Sequence, residues 1–162
     1  MLCPACGMCC NGVLFADVEL RRGDDAARLR TLGVKLFAKG GKRRFAQPCT
    51  CFDGKLCRIY AERPERCRTF ECRLLQRVMA GELSEAAALK AIATAGRAAN
   101  SVRRLARQLG ETDETLPLNR RYARIMAQPI DFAGDEAVIE RRSELMLAVD
   151  RLAKTLERDF LT

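Results

Sequence analysis

Apolar residues recur every three or four positions through most of the second half of the chain, which is the spacing of one helix face. The first long repeat follows Ser84, a good helix-capping residue, and ends at Gly110. Its predicted apolar stripe is Leu89, Ile92, Gly96, Ala99, Val102, Leu105 or Ala106, and Leu109. The second repeat runs from about Glu136 to Phe160. Its predicted stripe is Val138, Leu145, Val149, Leu152, Leu156 and Phe160. Two such helices predict a long C-terminal antiparallel helical hairpin with the stripes as internal core, and a surface for a protein partner or a dimer contact is the alternative.

Shorter patterns predict the remaining elements. Alternating polar and apolar residues on either side of Gly40-Gly41 predict two short strands joined by a tight turn, and "GVLFADVEL" has room for a third strand. The segment "DDAARLRTLG" predicts one or two helical turns, because acidic residues precede it and glycine follows it. The segment "RLLQRVM" predicts a helix that Gly81 ends, and a short helix is expected from Leu118 to Met126. Together these elements predict a mainly α fold with a small, irregular α+β N-terminal part organised by metal.

The length of 162 residues suits one domain with a modest core. We expect residues 1–80 to form a cysteine-cluster metal-binding region, and residues 81–162 to form the helical hairpin packed on it in one compact unit. No apolar run approaches the roughly 18 residues of a membrane span, and the N-terminus does not read as a signal segment. We therefore expect a cytoplasmic protein with no membrane partner, in which thiols stay reduced.

Nine cysteines carry most of the chemistry of this sequence, which has no histidine. They form two groups: one has the spacing C-x-x-C-x-x-C-C at the start, and the other lies in "PCTCFDGKLCRIYAERPERCRTFEC". The odd count excludes complete internal pairing, and the flanking charged, glycine and proline residues are more typical of loops than of a core. A C-x-x-C turn suits a tetrahedral zinc site and an iron–sulfur cluster equally well. The adjacent Cys9 and Cys10 favour about two metal centres, because neighbouring side chains diverge.

The motifs "CPACGMCC" and "QPCTCFDGKLCRIYAERPERCRTFEC" resemble the CxxCxxCC proteins, a proposed zinc- or iron-chelating domain also known as YkgJ-like cysteine-cluster proteins. The matching residues include Cys57–Tyr60, Arg63-Pro64 and Cys67–Phe70, and the C-terminal half carries no matching motif. A distant member of that family is a flagellin lysine N-methylase. The resemblance implies that eight cysteines bind metal: Cys3, Cys6, Cys9, Cys10, Cys49, Cys57, Cys67 and Cys72. Cys51 is then surplus, with its use in place of Cys49 as the alternative.

The formal net charge of +8 counts the cysteine thiols as neutral, and metal binding would change that count. Basic side chains are expected to offset the charge of metal-bound thiolates: Lys55, Arg58, Arg66, Arg68 and Arg73. Eight ionised thiols and two Zn²⁺ ions would lower the net charge to about +4, which makes a nucleic-acid partner a weak expectation. Tyr60, within the second group, is expected to be a core aromatic.

Three functions remain open on the sequence. The first is a zinc or iron protein with the helices as scaffold or partner surface. The second is an iron–sulfur oxidoreductase or an enzyme similar to the lysine methylase, and the third is a zinc module associated with nucleic acid. Catalysis is left open, because the missing histidine removes several acid–base and nucleophile–base arrangements, and no phosphate-binding glycine motif is present. The sequence does not set the oligomeric state.

Overall fold

The computed structural model describes residues 2–130 and 134–161. The fold is mainly α with a small three-stranded antiparallel sheet, as the sequence predicted. The α-helices are α1 (Leu2–Cys6), α2 (Ala26–Thr31), α3 (Glu65–Thr69), α4 (Arg73–Met79), α5 (Glu85–Gln108), α6 (Leu118–Met126) and α7 (Glu136–Asp159). The strands are β1 (Asp17–Glu19), β2 (Leu36–Lys39) and β3 (Lys42–Ala46), and a 3₁₀ helix spans Tyr60–Glu62. None of the helices in the described residues is both long enough and apolar enough to cross a membrane.

The chain divides into two compact units. The first, which we call the cysteine unit, consists of Cys3–Glu71 and Thr115–Pro117. The second, which we call the helical unit, consists of Leu2, Cys72–Glu114 and the chain from Leu118 onwards. Eight of the nine cysteines therefore belong to the cysteine unit, and Cys72 belongs to the helical unit.

The sheet of the cysteine unit has the order β1-β3-β2 and is antiparallel throughout. Gly40 and Gly41 form the hairpin turn with φ values of 59° and 72°, a region that glycine enters without steric cost. Helix α2 begins where the sequence predicted, since the Asp25 side chain accepts a hydrogen bond from the Arg28 N–H. A small core joins the sheet, α2 and the second cysteine group through Leu29, Val34, Phe45, Cys51 and Ile59.

Helices α5 and α7 pack along each other in the helical unit, and α4 and α6 pack on α5. Ser84 caps α5 as predicted, and the predicted bounds of α6 agree with the structure. Most of the predicted α5 stripe is buried as expected: Ile92, Ala99, Val102, Leu105 and Ala106. Two positions differ by one residue, since Ala88 and Ala95 are fully buried in place of Leu89 and Gly96, and Leu89 is 42% exposed. Small side chains therefore occupy these two buried positions of α5, and the larger Leu89 lies outside the core.

The start of the α7 stripe also differs from the expectation. Val138 is 43% exposed, and the buried residue one turn before Leu145 is Arg142. The Arg142 guanidinium donates hydrogen bonds to the carbonyl oxygens of Gln128 (2.8 Å) and Pro129 (3.3 Å). These bonds satisfy backbone acceptors just after α6, so a charged residue occupies a position that periodicity alone assigns to an apolar one.

Candidate metal centre

The first cysteine group is held by a short helix and a glycine turn. Cys3 and Cys6 lie on α1, and Gly7 follows with a φ of +61°. The Gly7 N–H donates to the Cys3 carbonyl (3.0 Å), and the Gly7 carbonyl accepts from the Cys10 N–H (2.9 Å). A Cβ atom at Gly7 would lie only 2.7 Å from Cζ of Phe52. The glycine therefore packs directly on an aromatic ring of the second cysteine group.

Backbone contacts join the two groups at a second place. The Cys49 N–H donates to the Cys10 carbonyl at 2.8 Å. Two residues after Cys10, Gly12 packs so closely on Pro48 that a Cβ atom would lie 3.1 Å from the proline Cδ. The start of the chain is thus fixed beside Cys49 by main-chain interactions.

A loop and two short helices position Cys57 and Cys67. Cys57 pairs with Phe52 in an isolated β-bridge. The 3₁₀ helix follows, and Pro64 then caps α3, whose Cys67 N–H donates to the Pro64 carbonyl (2.9 Å). Proline fixes its own φ and disfavours helix in the preceding residue, which explains the sharp break between the two helices.

Side chains in and just before α2 bind this 3₁₀–α3 segment where its two helices meet. Arg28 binds Glu62 through two hydrogen bonds, with distances of 2.6 and 3.0 Å. Asp24 accepts from the Glu65 N–H at 2.8 Å, which satisfies a backbone donor in the first turn of α3. The segment between Cys57 and Cys67 is therefore attached to the rest of the cysteine unit.

Four cysteines from the two groups are electrostatic neighbours: Cys10, Cys49, Cys57 and Cys67. Burial, with a smaller contribution from neighbouring thiols, raises the pKa of Cys49 to about 11 and that of Cys67 to about 12. Burial also raises the pKa of Cys10, followed by the effects of Cys57 and Cys3, while Arg63 opposes the rise. The surroundings of the thiols thus favour their protonated form when no cation is bound.

The other cysteines have different surroundings. Cys51 is fully buried in the core, with its sulfur 3.5 Å from the Leu32 carbonyl oxygen. Cys3 is exposed, and Cys6 and Cys9 are half-buried. Cys72, in the helical unit, is half-buried at the N-cap of α4. The described cysteines are thiols rather than disulfides.

The sulfur atoms lie near one another, but they do not form a complete coordination site. Within residues 2–130 and 134–161, no three Cys, Asp or Glu side chains are arranged to hold a metal ion as they stand. Coordination would require the sulfur atoms to move closer together. The donor set nevertheless fits a thiophilic metal, because the neighbouring groups are all sulfur and zinc and iron–sulfur centres are commonly held by four thiolates.

The surroundings of Tyr60 and Arg63 differ from the sequence-based expectation. Tyr60 is 57% exposed rather than a core aromatic, and the guanidinium of Arg63 stacks on its ring, 3.7 Å from the ring centroid. The Arg63 Nε also donates to the Tyr60 carbonyl at 3.0 Å, and its charge acts on Cys10 and Cys67. Arg63 was not among the basic residues expected near the thiols, although its place between Cys57 and Cys67 was a usable signal. Arg58, which was expected there, donates to the Thr50 carbonyl at 2.6 Å.

The sequence profile of one protein family, described as "CxxCxxCC: Putative zinc- or iron-chelating domain", matches residues 2–92. The chain belongs to the CxxCxxCC family. The match includes both cysteine groups, the sheet, α4 and the first part of α5. Among curated proteins and solved structures, nothing matches the chain. Membership in the CxxCxxCC family gives a zinc- or iron-chelating character to the same region in which the cysteines lie.

Proposed function

We propose that this CxxCxxCC protein binds zinc or iron through cysteine thiolates, in about two centres. The proposed ligands are Cys3, Cys6, Cys9, Cys10, Cys49, Cys57, Cys67 and Cys72. The observation that carries the proposal is that Cys10, from the first group, is an electrostatic neighbour of Cys49, Cys57 and Cys67, from the second. Residues far apart in sequence supply one sulfur-rich region, which is typical of a metal site.

The main role proposed for the metal is to hold the cysteine unit together. A divalent cation lowers the pKa of a thiol that it coordinates and converts neutral sulfur into a thiolate ligand. The core of this unit is small, with five buried residues in its main cluster, so cross-links between the two cysteine groups would add substantially to its stability. Arg63 would offset part of the negative charge that the thiolates bring. We place the protein in a reducing compartment, the cytoplasm, because its cysteines are needed as thiols.

Metal identity and stoichiometry after anaerobic expression test this proposal. Elemental analysis of the purified protein should give about two equivalents of zinc or iron per chain. Colourless protein containing zinc supports thiolate zinc sites. Brown protein with visible absorbance and acid-labile sulfide supports iron–sulfur centres, and then an electron-transfer or oxidoreductase role becomes the form of the function to pursue. Protein that contains neither metal, and takes up neither when reduced, contradicts the proposal.

A further inference from the structure

Arg121 is a buried charged residue in the helical unit. It lies on the same face of α6 as the buried Leu118 and Ile125, and it is only 3% exposed. Its Nη2 donates to the Glu111 carbonyl oxygen at 3.1 Å, whereas its buried Nε has no hydrogen-bond partner within the part of the chain that the structure describes. A buried cationic donor without a partner destabilises a fold, and what this donor lacks is an acceptor.

A second arginine lies near Arg121 on the neighbouring helix. Helix α6 packs on α5, whose Arg103 is half-buried. Burial lowers the pKa of the Arg103 guanidinium, and the charge of Arg121 lowers it further. Glu114 opposes this shift, while Arg107, one helical turn after Arg103, adds to it. Three guanidinium charges therefore lie close together in a place that is partly shielded from water.

The carboxylates of this region leave two of these charges without a direct partner. The acidic side chains pair with other arginines: Glu114 with Arg107 (3.6 Å), and Glu111 and Asp113 with Arg124 (3.5 Å each). Within residues 2–130 and 134–161, neither Arg103 nor Arg121 forms an ion pair. The Arg103 guanidinium donates instead to the neutral amide oxygen of Asn100 at 3.0 Å. The repulsion between the two guanidiniums is thus not offset by a bound carboxylate.

We propose that Arg103 and Arg121, with Arg107 beside them, form a binding site for an oxyanion of the phosphate class. An oxyanion carries acceptors and negative charge, so it would supply the missing acceptor of Arg121 and offset the repulsion between the guanidiniums. The planar fork of arginine donors also matches the oxygens of a phosphate group. Because Arg103 is the more exposed of the two, the anion reaches the site from the side of Arg103. This site lies in the helical unit and does not depend on the metal proposed above.

Substitution Arg103→Gln tests this inference on the full chain purified under anaerobic, reducing conditions. Calorimetric titration with inorganic phosphate, at an ionic strength held constant with chloride, gives the affinity. We expect Arg103→Gln to weaken phosphate binding about 10- to 100-fold, the usual effect of losing a hydrogen bond from a charged group. Arg104→Gln is the matched control, because it removes the same charge from the next position of α5, where Arg104 is exposed and bonded to Gln108 (3.3 Å). The control should bind phosphate as the unsubstituted protein does.

Thermal unfolding separates a ligand site from a structural role of Arg103. In phosphate-free chloride buffer, we expect Arg103→Gln to unfold at the same temperature as the unsubstituted protein or higher, because a repulsion is removed. A lower midpoint in that buffer would make Arg103 a structural residue and overturn the proposal. Absence of phosphate binding by the unsubstituted protein, or equal weakening by the two substitutions, would overturn it as well. A parallel titration with glycerol phosphate identifies the source: binding of both compounds supports a phosphate ester as the ligand, and binding of inorganic phosphate alone supports the free anion.

Discussion

At the scale of single residues, Cys49 and Cys51 show why cysteine spacing alone does not assign ligands. The two lie one residue apart in the sequence, yet only Cys51 is fully buried among apolar side chains. Cys49 is half-buried and bonded through its N–H to Cys10. The family pattern favours Cys49 as the ligand, and that assignment stays a prediction.

Replacing Cys49 should mainly lower the metal content, whereas replacing Cys51 should mainly lower the stability. We expect Cys49→Ser to lower the bound metal by about one equivalent, because serine is a poor ligand for a thiophilic ion. Cys51→Ala should keep the metal and lower the free energy of unfolding by about 1 kcal/mol, since a small buried group is lost. Elemental analysis and chemical unfolding of both variants give the measurement. Loss of metal in Cys51→Ala with retention in Cys49→Ser would reverse the ligand assignment.

Gly7 should tolerate a larger residue poorly, because it packs on the Phe52 ring. An added Cβ would meet the Phe52 ring at 2.7 Å, and the backbone has a positive φ. We expect Gly7→Ala to lower the free energy of unfolding of the metal-loaded protein by about 2–4 kcal/mol, from overpacking together with backbone strain. Gly54→Ala is the matched control, because Gly54 has a φ of +102° with nothing within 4 Å of the added atom. Equal losses in the two variants would show that the contact with Phe52 does not matter.

Metal affinity should rise steeply with pH. The pKa values of Cys49 and Cys67 are raised to about 11 and about 12, so between about pH 6 and pH 8 these thiols are protonated in the metal-free protein. Coordination removes about one proton from each ligand, and higher pH therefore favours binding. Zinc competition at three pH values, with proton release measured in weak buffer, gives the slope. Affinity that does not change with pH would mean that thiols are not the ligands.

At the scale of elements, local sequence signals located the helices and strands better than they oriented them. Ser84, Asp25 and Gly40-Gly41 act on their own turns, so the caps and the hairpin could be predicted from the residues themselves. Which side of α5 faces α7 depends on how closely two helices approach, and that is a tertiary property. The predicted stripe therefore had the right period and included the exposed Leu89 in place of Ala88.

Replacing one buried and one exposed leucine of the two long helices should distinguish interior positions from surface positions. Leu145 of α7 is fully buried, so we expect Leu145→Ala to lower the free energy of unfolding of the helical unit by about 2–5 kcal/mol. Leu89→Ala should change it by less than about 1 kcal/mol, because Leu89 is 42% exposed. Thermal unfolding followed by circular dichroism compares the two. If Leu89→Ala lowers the free energy of unfolding as much as Leu145→Ala does, Leu89 is buried, as the sequence predicted.

The sequence predicted only part of the candidate site, because some residues near the cysteines are placed there by tertiary structure. Spacing identified the cysteines, because C-x-x-C turns are local. Arg63 lies between Cys57 and Cys67 in the sequence, but its stacking on Tyr60 and its effect on Cys10 and Cys67 depend on the fold. Sequence position therefore marks such a residue as a candidate, and only the fold shows which thiols it lies near.

At the scale of the whole molecule, the two units should respond differently to loss of metal. The cysteine unit has a small core and short elements, whereas the helical unit contains two 24-residue helices that pack along each other. A chelator under reducing conditions should therefore unfold the cysteine unit and leave most of the helical circular dichroism signal. Amide hydrogen exchange should show protection lost around β3 and kept along α5. Full protection of the cysteine unit in metal-free, reduced protein would contradict a structural role for the metal.

X-ray absorption at the zinc or iron edge of anaerobically purified protein tests the central claim most directly, because it reports which atoms surround the metal. We predict a shell of about four sulfur atoms around each metal, at about 2.3 Å for zinc, and a reduced sulfur count in Cys49→Ser and Cys67→Ser. A shell made only of oxygen or nitrogen, or a sulfur count that both substitutions leave unchanged, would contradict the account.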